Sequence, residues 1–262
     1  MRTISQEVGY TRRGAGEIRV PSFADIRAAF ARLELSCDHL DGTVFGDTLL
    51  AYFSFRAKVL NGQVRRNLMD KKQAEALFKK LRGKTRPRCP LPMNKQKGEK
   101  RNYAFLTCIV NMLIERSIGD TQCDYDPRSL TTVTRNEQPL RTLARRVDGA
   151  FPSVVNPVAI WEIKEYYYTT TFGSRVADGV YETLLDGHEL QDLEMSTGRK
   201  IQHLLVVDDH FTWWECGRSY LCRIIDMLHM GYLDEVLFGR EVVDRLPVLA
   251  RGWKSRLRRI ET

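Results

Sequence analysis

Three residues near the middle of the chain carry the side chains best suited to chemistry: Asp148, Glu162 and Lys164. Glu162 and Lys164 lie within residues 158–167. The β-branched and aromatic residues there, bounded by Pro157 and a run of threonines, predict a β-strand. Side chains alternate along a strand, so Val158, Ile160, Glu162 and Lys164 share one face. The other face carries Ala159, Trp161 and Ile163, which predicts burial on both sides. A buried charge without a partner is costly, so a carboxylate and an ammonium at this place need a reason. Just upstream, residues 145–151 read as a second short strand that delivers Asp148. Carboxylates on neighbouring strands can hold Mg²⁺, a hard ion that prefers oxygen ligands and keeps several waters. The plainer alternative is a strand-face ion pair between Glu162 and Lys164, with Asp148 a turn residue before Gly149.

The elements that must position these groups follow from periodicity and caps. Residues 1–20 are polar and read as a loose arm. A first helix is predicted from Phe23, capped by Ser22 with Asp25 completing a capping box. Two more helices follow over 47–60 and 70–81, the last capped by Asp70 and stopped by Gly83. Residues 83–101 are dense in Pro, Lys and Arg, and read as a linker or as a basic loop laid along a ligand. Beyond them come an apolar helix over 103–117 and strands over 130–134, 143–151 and 158–167. A helix capped by Ser174 then runs to about 190, followed by a strand over 201–207 and a helix over 220–230. A short strand over 236–238 and a last helix over 241–258, interrupted by Pro247, complete the chain. The prediction is an α/β fold, divided into a helical N-terminal region over 1–101 and a second unit over 102–262.

With 262 residues, the chain can bury one large core or two small ones. Its 41 Lys and Arg against 33 Asp and Glu give a formal charge of +8, which favours an anionic partner such as nucleic acid. Six scattered cysteines form no CxxC pair, so neither a zinc site nor a disulfide framework is indicated. The first residues have no signal-peptide character, and no apolar run is long enough to span a bilayer. These observations predict a soluble, cytoplasmic protein with no membrane partner.

The order helix, three strands, helix, strand from residue 103, with Asp148 before Glu162-Ile163-Lys164, resembles the PD-(D/E)xK nuclease superfamily, which includes most type II restriction endonucleases. The resemblance spans roughly residues 103–207. It departs from the pattern at Val147, where the family usually has proline. It implies a restriction-endonuclease-like core with a mixed central sheet, and an enzyme that hydrolyses phosphodiester bonds of double-stranded DNA. Asp148, Glu162 and the main-chain carbonyl of Ile163 would hold Mg²⁺. Lys164 would orient the attacking water or stabilise charge developing at phosphorus. Glu115 is the implied accessory acid on the first core helix; otherwise it is the solvated end of that helix. The resemblance also implies a homodimer acting on palindromic sites, as in restriction or phage defence.

Around this core, Arg86, Arg88, Lys95, Lys97, Lys100 and Arg101 are the candidate DNA-contacting residues of the basic segment. Arg175, with Gly173 and Ser174 at a helix N-terminus, is another phosphate candidate. Tyr166–Tyr168 and Thr169–Thr171 either touch a sugar-phosphate backbone or simply end the strand. Asp208-Asp209-His210 reads as an acidic turn before it reads as a metal cluster, and Trp213-Trp214 as packing before base stacking. Two other functions compete: a non-cleaving nucleic-acid binder on the same fold, and a non-specific nuclease gated by a partner or a signal.

Overall fold

The structure is a computed structural model that describes residues 1–11, 16–84, 86–96, 99–168 and 173–261; for 95, 96, 99–101 and 259–261 only the backbone is described. The N-terminal region is helical. It comprises α1 (Arg2–Val8), α2 (Phe23–Arg32) and α3 (Val44–Val59), the last continuing through one π-helical stretch (Leu60–Val64) into α4 (Arg65–Asn67). The expected loose arm is thus corrected. Ile4 of α1 is buried in a small core with Ile26, Leu49 and Phe53, but seven residues are too few to show a helical period. Ser22 and Asp25 form the expected capping box of α2.

Helix α5 (Lys71–Lys84) starts where Asp70 and Gln73 bond reciprocally, Gln73 N–H to Asp70 Oδ1 at 2.8 Å and Asp70 N–H to Gln73 Oε1 at 3.1 Å. It runs through Gly83 instead of stopping there. Glycine weakens an exposed helix by about 1 kcal/mol but does not forbid it. The segment read as a linker or basic loop contains an antiparallel hairpin, β1 (Met93–Gln96) and β2 (Glu99–Tyr103). Its prolines all precede the first strand, so they do not prevent pairing.

After α6 (Phe105–Ile118), the first of the three expected strands leaves the central sheet. β3 (Thr132–Arg135) closes on β4 (Gln138–Thr142) as a separate hairpin, because Asn136 and Glu137 both take positive φ, the backbone of a tight two-residue turn. The second is shorter than expected. Only β5 (Gly149–Phe151) is strand, since Leu143 and Val147 are drawn into a cluster with Leu190 and Leu193 and do not extend the ladder. β6 (Ala159–Glu165) pairs antiparallel with β5. α7 (Ser174–Thr197) follows, with Gly173 and not Ser174 at the N-cap position.

β7 (Gln202–Asp208) pairs parallel with β6, α8 (Arg218–His229) leads to β8 (Glu235–Phe238), parallel with β7, and α9 (Val242–Glu261) ends the chain. Pro247 does not interrupt α9, which passes through it in its second turn. The four-stranded sheet has the order β5-β6-β7-β8 and is mixed. The protein is therefore a mixed α/β structure, as expected at that level.

Helices cover both faces of the sheet. α6 and α9 pack on the face that carries Ala159, Trp161 and Ile163, where Trp161 stacks on Trp253 with centroids 5.6 Å apart. α7 and α8 cover the other face. The N-terminal helices are tied to α8 by a buried pair, Arg56 Nη1 to Asp226 Oδ1 at 3.0 Å. No helix among the described residues is long and apolar enough to cross a membrane.

Candidate functional site

Strand pairing places the three sequence candidates together. Asp148 lies one residue before β5, and its N–H still donates to Trp161 O at 3.1 Å. Beyond it the ladder with β5 stops. The next main-chain N–H on that edge of β6, from Ile163, donates to the Asp148 side chain, at 2.7 Å from Oδ2. A residue's N–H and C=O point to the same side of its strand, so the Ile163 carbonyl shares this edge with the Asp148 carboxylate. Gly149 is obligatory beside it, because a Cβ there would stand 2.1 Å from the Trp161 ring.

Glu162 and Lys164 project from the opposite pleat, toward α7. Glu162 is fully buried, and Lys164 Nζ lies 2.8 Å from its Oε2. Three residues that the sequence did not single out complete the cluster. Arg145 places Nη1 3.0 Å from Glu162 Oε1 and Nη2 3.1 Å from Oε2. From α7, Asp186 Oδ2 accepts from Arg145 Nη1 at 2.6 Å, and Glu182 Oε2 lies 3.3 Å from Arg145 Nη2 and 3.2 Å from Lys164 Nζ. Glu182 and Asp186 are four apart on one helical face, a spacing that was the available signal for them. Gly179, one turn earlier, lets Lys164 lie against α7; a Cβ there would stand 3.2 Å from Lys164 Cδ and Cε and 3.1 Å from the Tyr166 hydroxyl.

The electrostatics follow from this crowding. Dense surroundings, reinforced by the Glu162 charge, push the Asp148 carboxyl up to about 6, although it remains reachable from solvent. Burial pushes Asp186 up to about 7 against the pull of Arg145. Burial also works to raise Glu162, but Lys164 and Arg145 outweigh it and hold this carboxyl below the usual range. Lys164 is raised by Glu162 in spite of burial. His203, next to Ile160 across β7, points Nδ1 at Tyr232 O at 2.9 Å, and burial lowers its pKa.

The remaining candidates lie elsewhere. Glu115 is on α6, across the sheet from Glu162, and receives the Arg88 N–H at 3.0 Å. Arg88 itself pairs with Asp120 at 2.7 Å. Arg86 is exposed, and Arg175 is exposed at the start of α7, its carbonyl accepting from the Tyr166 hydroxyl at 3.2 Å. Lys97 and Thr169–Thr171 lie outside the described residues, as do the side chains of Lys95, Lys100 and Arg101. Asp208 is used structurally, taking the Met69 N–H at 2.7 Å and the Tyr167 hydroxyl, while Asp209 Oδ2 accepts from Thr212 N–H at 2.8 Å. Trp213 and Trp214 are buried core residues.

Among the described residues, no group of three or more His, Cys, Asp or Glu side chains stands ready to hold a metal ion. A site of two carboxylates and one carbonyl asks for less, and two observations bear on it. Glu162 Oε1 is buried without a directed hydrogen bond. The cluster also gathers four carboxylates (Asp148, Glu162, Glu182, Asp186) around two cations (Arg145, Lys164), and the crowding that raises Asp148 and Asp186 is what a divalent ion would relieve. The donors fit such an ion.

Residues 69–253 match the model of a domain of unknown function (DUF7687), and residues 1–63 match that of another domain of unknown function (DUF7690). The first match covers more than half of the chain, which therefore belongs to that family. No curated protein and no solved structure matches.

Proposed function

We propose that this member of the DUF7687 family is a Mg²⁺-dependent endonuclease of double-stranded DNA, with a core of the restriction-endonuclease type. One observation carries the reading: two neighbouring strands present Asp148 and Glu162, and Lys164 lies beside Glu162 on the same buried strand. Asp148, Glu162 and the Ile163 carbonyl would hold the ion, which when bound would supply positive charge at the phosphate and acidify water. Among the described residues, Lys164 contributes the one lysine ammonium of the cluster. Its place in the β6 ladder fixes where that charge sits, as preorganised stabilisation of a phosphorus centre gaining negative charge requires.

Duplex DNA is the proposed substrate because the chain is basic overall, and because Arg146, next to Arg145 in the chain, and Arg175, in the first turn of α7, are exposed. A homodimer in the cytoplasm, acting in restriction or phage defence, is the setting this reading implies. The test is incubation of the purified full chain with unmethylated phage DNA in Mg²⁺ or in EDTA. Discrete fragments in Mg²⁺ alone support a restriction-type enzyme. A Mg²⁺-dependent smear supports a non-specific nuclease, and intact DNA in both contradicts the proposal.

A further inference from the structure

We infer that Arg145 is a built-in stand-in for the divalent ion: it occupies Glu162 while the ion is absent and moves onto a DNA phosphate when the ion enters. The inference rests on the function proposed above and adds how the site is kept closed.

The two cations of the cluster are held differently. Lys164 belongs to the central strand β6, whose pairing with β7 runs from Ala159 to Glu165, and its methylene stem is packed against Gly179. Its ammonium stays paired with Glu162 and Glu182, at 2.8 and 3.2 Å. Arg145 sits in the irregular stretch between β4 and β5, outside any ladder, and its side chain keeps 23% exposure where Glu162 and Asp186 have none. Its guanidinium spans both oxygens of Glu162, at 3.0 and 3.1 Å. Oε1 carries no directed hydrogen bond, so an ion would bind there, directly against the positive charge of the guanidinium 3.0 Å away; ion and guanidinium therefore compete for the same carboxylate through charge.

Displacement leaves Arg145 with a place to stay. Asp186 at 2.6 Å and Glu182 at 3.3 Å anchor it from α7, so it pivots at the mouth of the cluster and is not lost to solvent. A guanidinium released there, beside an ion that binds phosphate oxygen, has the planar two-donor geometry that phosphate accepts. Ion and DNA would then each favour the open arrangement. Metal affinity should rise when DNA is present, and DNA affinity when metal is present, by the same factor.

The test measures metal and DNA separately, without turnover. Ca²⁺ and Mg²⁺ binding to the full chain is followed by calorimetry without DNA, and duplex binding by fluorescence anisotropy in Ca²⁺. Arg145→Gln should bind either ion about tenfold or more tightly, because the competing charge is gone, and bind DNA about tenfold more weakly. A residue serving only to neutralise Glu162 would not move these two affinities in opposite directions. Should Arg145→Gln fail to fold, Arg145→Lys keeps the charge but cannot span both Glu162 oxygens, and the same opposed shifts should appear at reduced size. Unchanged or weakened metal affinity in a folded variant overturns the inference while leaving a wild-type chain that binds metal and cuts DNA intact. A wild-type chain that does neither overturns the proposed function itself.

Discussion

The ammonium of Lys164 lies 2.8 Å from Oε2 of Glu162, two residues back on the same face of the central strand, and neither side chain has more than 11% exposure. Breaking such a pair from one side leaves an uncompensated buried charge, which typically costs about 3–5 kcal/mol. The two carboxylates of the candidate site are therefore unequal, although both would hold the same ion.

Asp148→Asn should abolish cleavage without loss of stability, because Asn still accepts from the Ile163 N–H and relieves repulsion with Glu162. Glu162→Gln should abolish cleavage and also destabilise the fold by about 3 kcal/mol, since Lys164 and Arg145 lose their shared anion. Chemical denaturation beside a cleavage assay checks both. Equal stability changes in the two variants would contradict the unequal roles, and wild-type cleavage by either would remove the site.

Gly179→Ala probes the packing of the lysine. The new methyl stands 3.2 Å from Lys164 Cδ and Cε, so the side chain must shift by a few tenths of an ångström. Ala is favoured over Gly in a helix by about 1 kcal/mol, which offsets the crowding. Stability should change by less than about 1 kcal/mol, while cleavage falls about tenfold or more because catalytic groups tolerate little misplacement. Single-turnover rates at saturating DNA separate this from weaker binding.

His203 supplies a pH signature. Its folded-state pKa lies below the ordinary histidine value, so the stability it supports is present above about 6.5 and is lost as pH falls toward the folded value. His203→Asn keeps a donor for the Tyr232 carbonyl and cannot titrate. Between about pH 7 and 5, wild type should lose stability relative to this variant, by at most ~1.4 kcal/mol per pH unit. Parallel stability curves for the two proteins would place the buried imidazole elsewhere.

The sequence made the central strand β6 legible because a short, continuous run of β-branched and aromatic residues bounded by Pro157 and a threonine run is hard to reconcile with a solvated helix or a loop. Its neighbours were legible for the same reason, β7 above all. Arg145, Glu182 and Asp186 were not. A lone arginine in an irregular stretch and two acids on a long amphipathic helix look like a solvated surface until the helix is laid against the sheet. The separate β3–β4 hairpin was hidden likewise, since two consecutive positive-φ residues at Asn136 and Glu137 lack the glycine that usually announces such a turn. In α1, Ile4 is buried and Val8, four residues on, is half-buried beside it, and one such pair in seven residues is too short a pattern to announce a helix.

Lys164→Met separates a lysine used in turnover from one that only neutralises Glu162. Arg145 remains against Glu162 in this variant, so the fold should persist. Cleavage of a saturating duplex in Mg²⁺ and binding of the same duplex in Ca²⁺ are measured side by side. The expected result is a single-turnover rate reduced by about 10²-fold or more, with affinity changed no more than about threefold. A destabilised Lys164→Met protein whose folded fraction cuts at the wild-type rate would contradict a role for this ammonium in turnover.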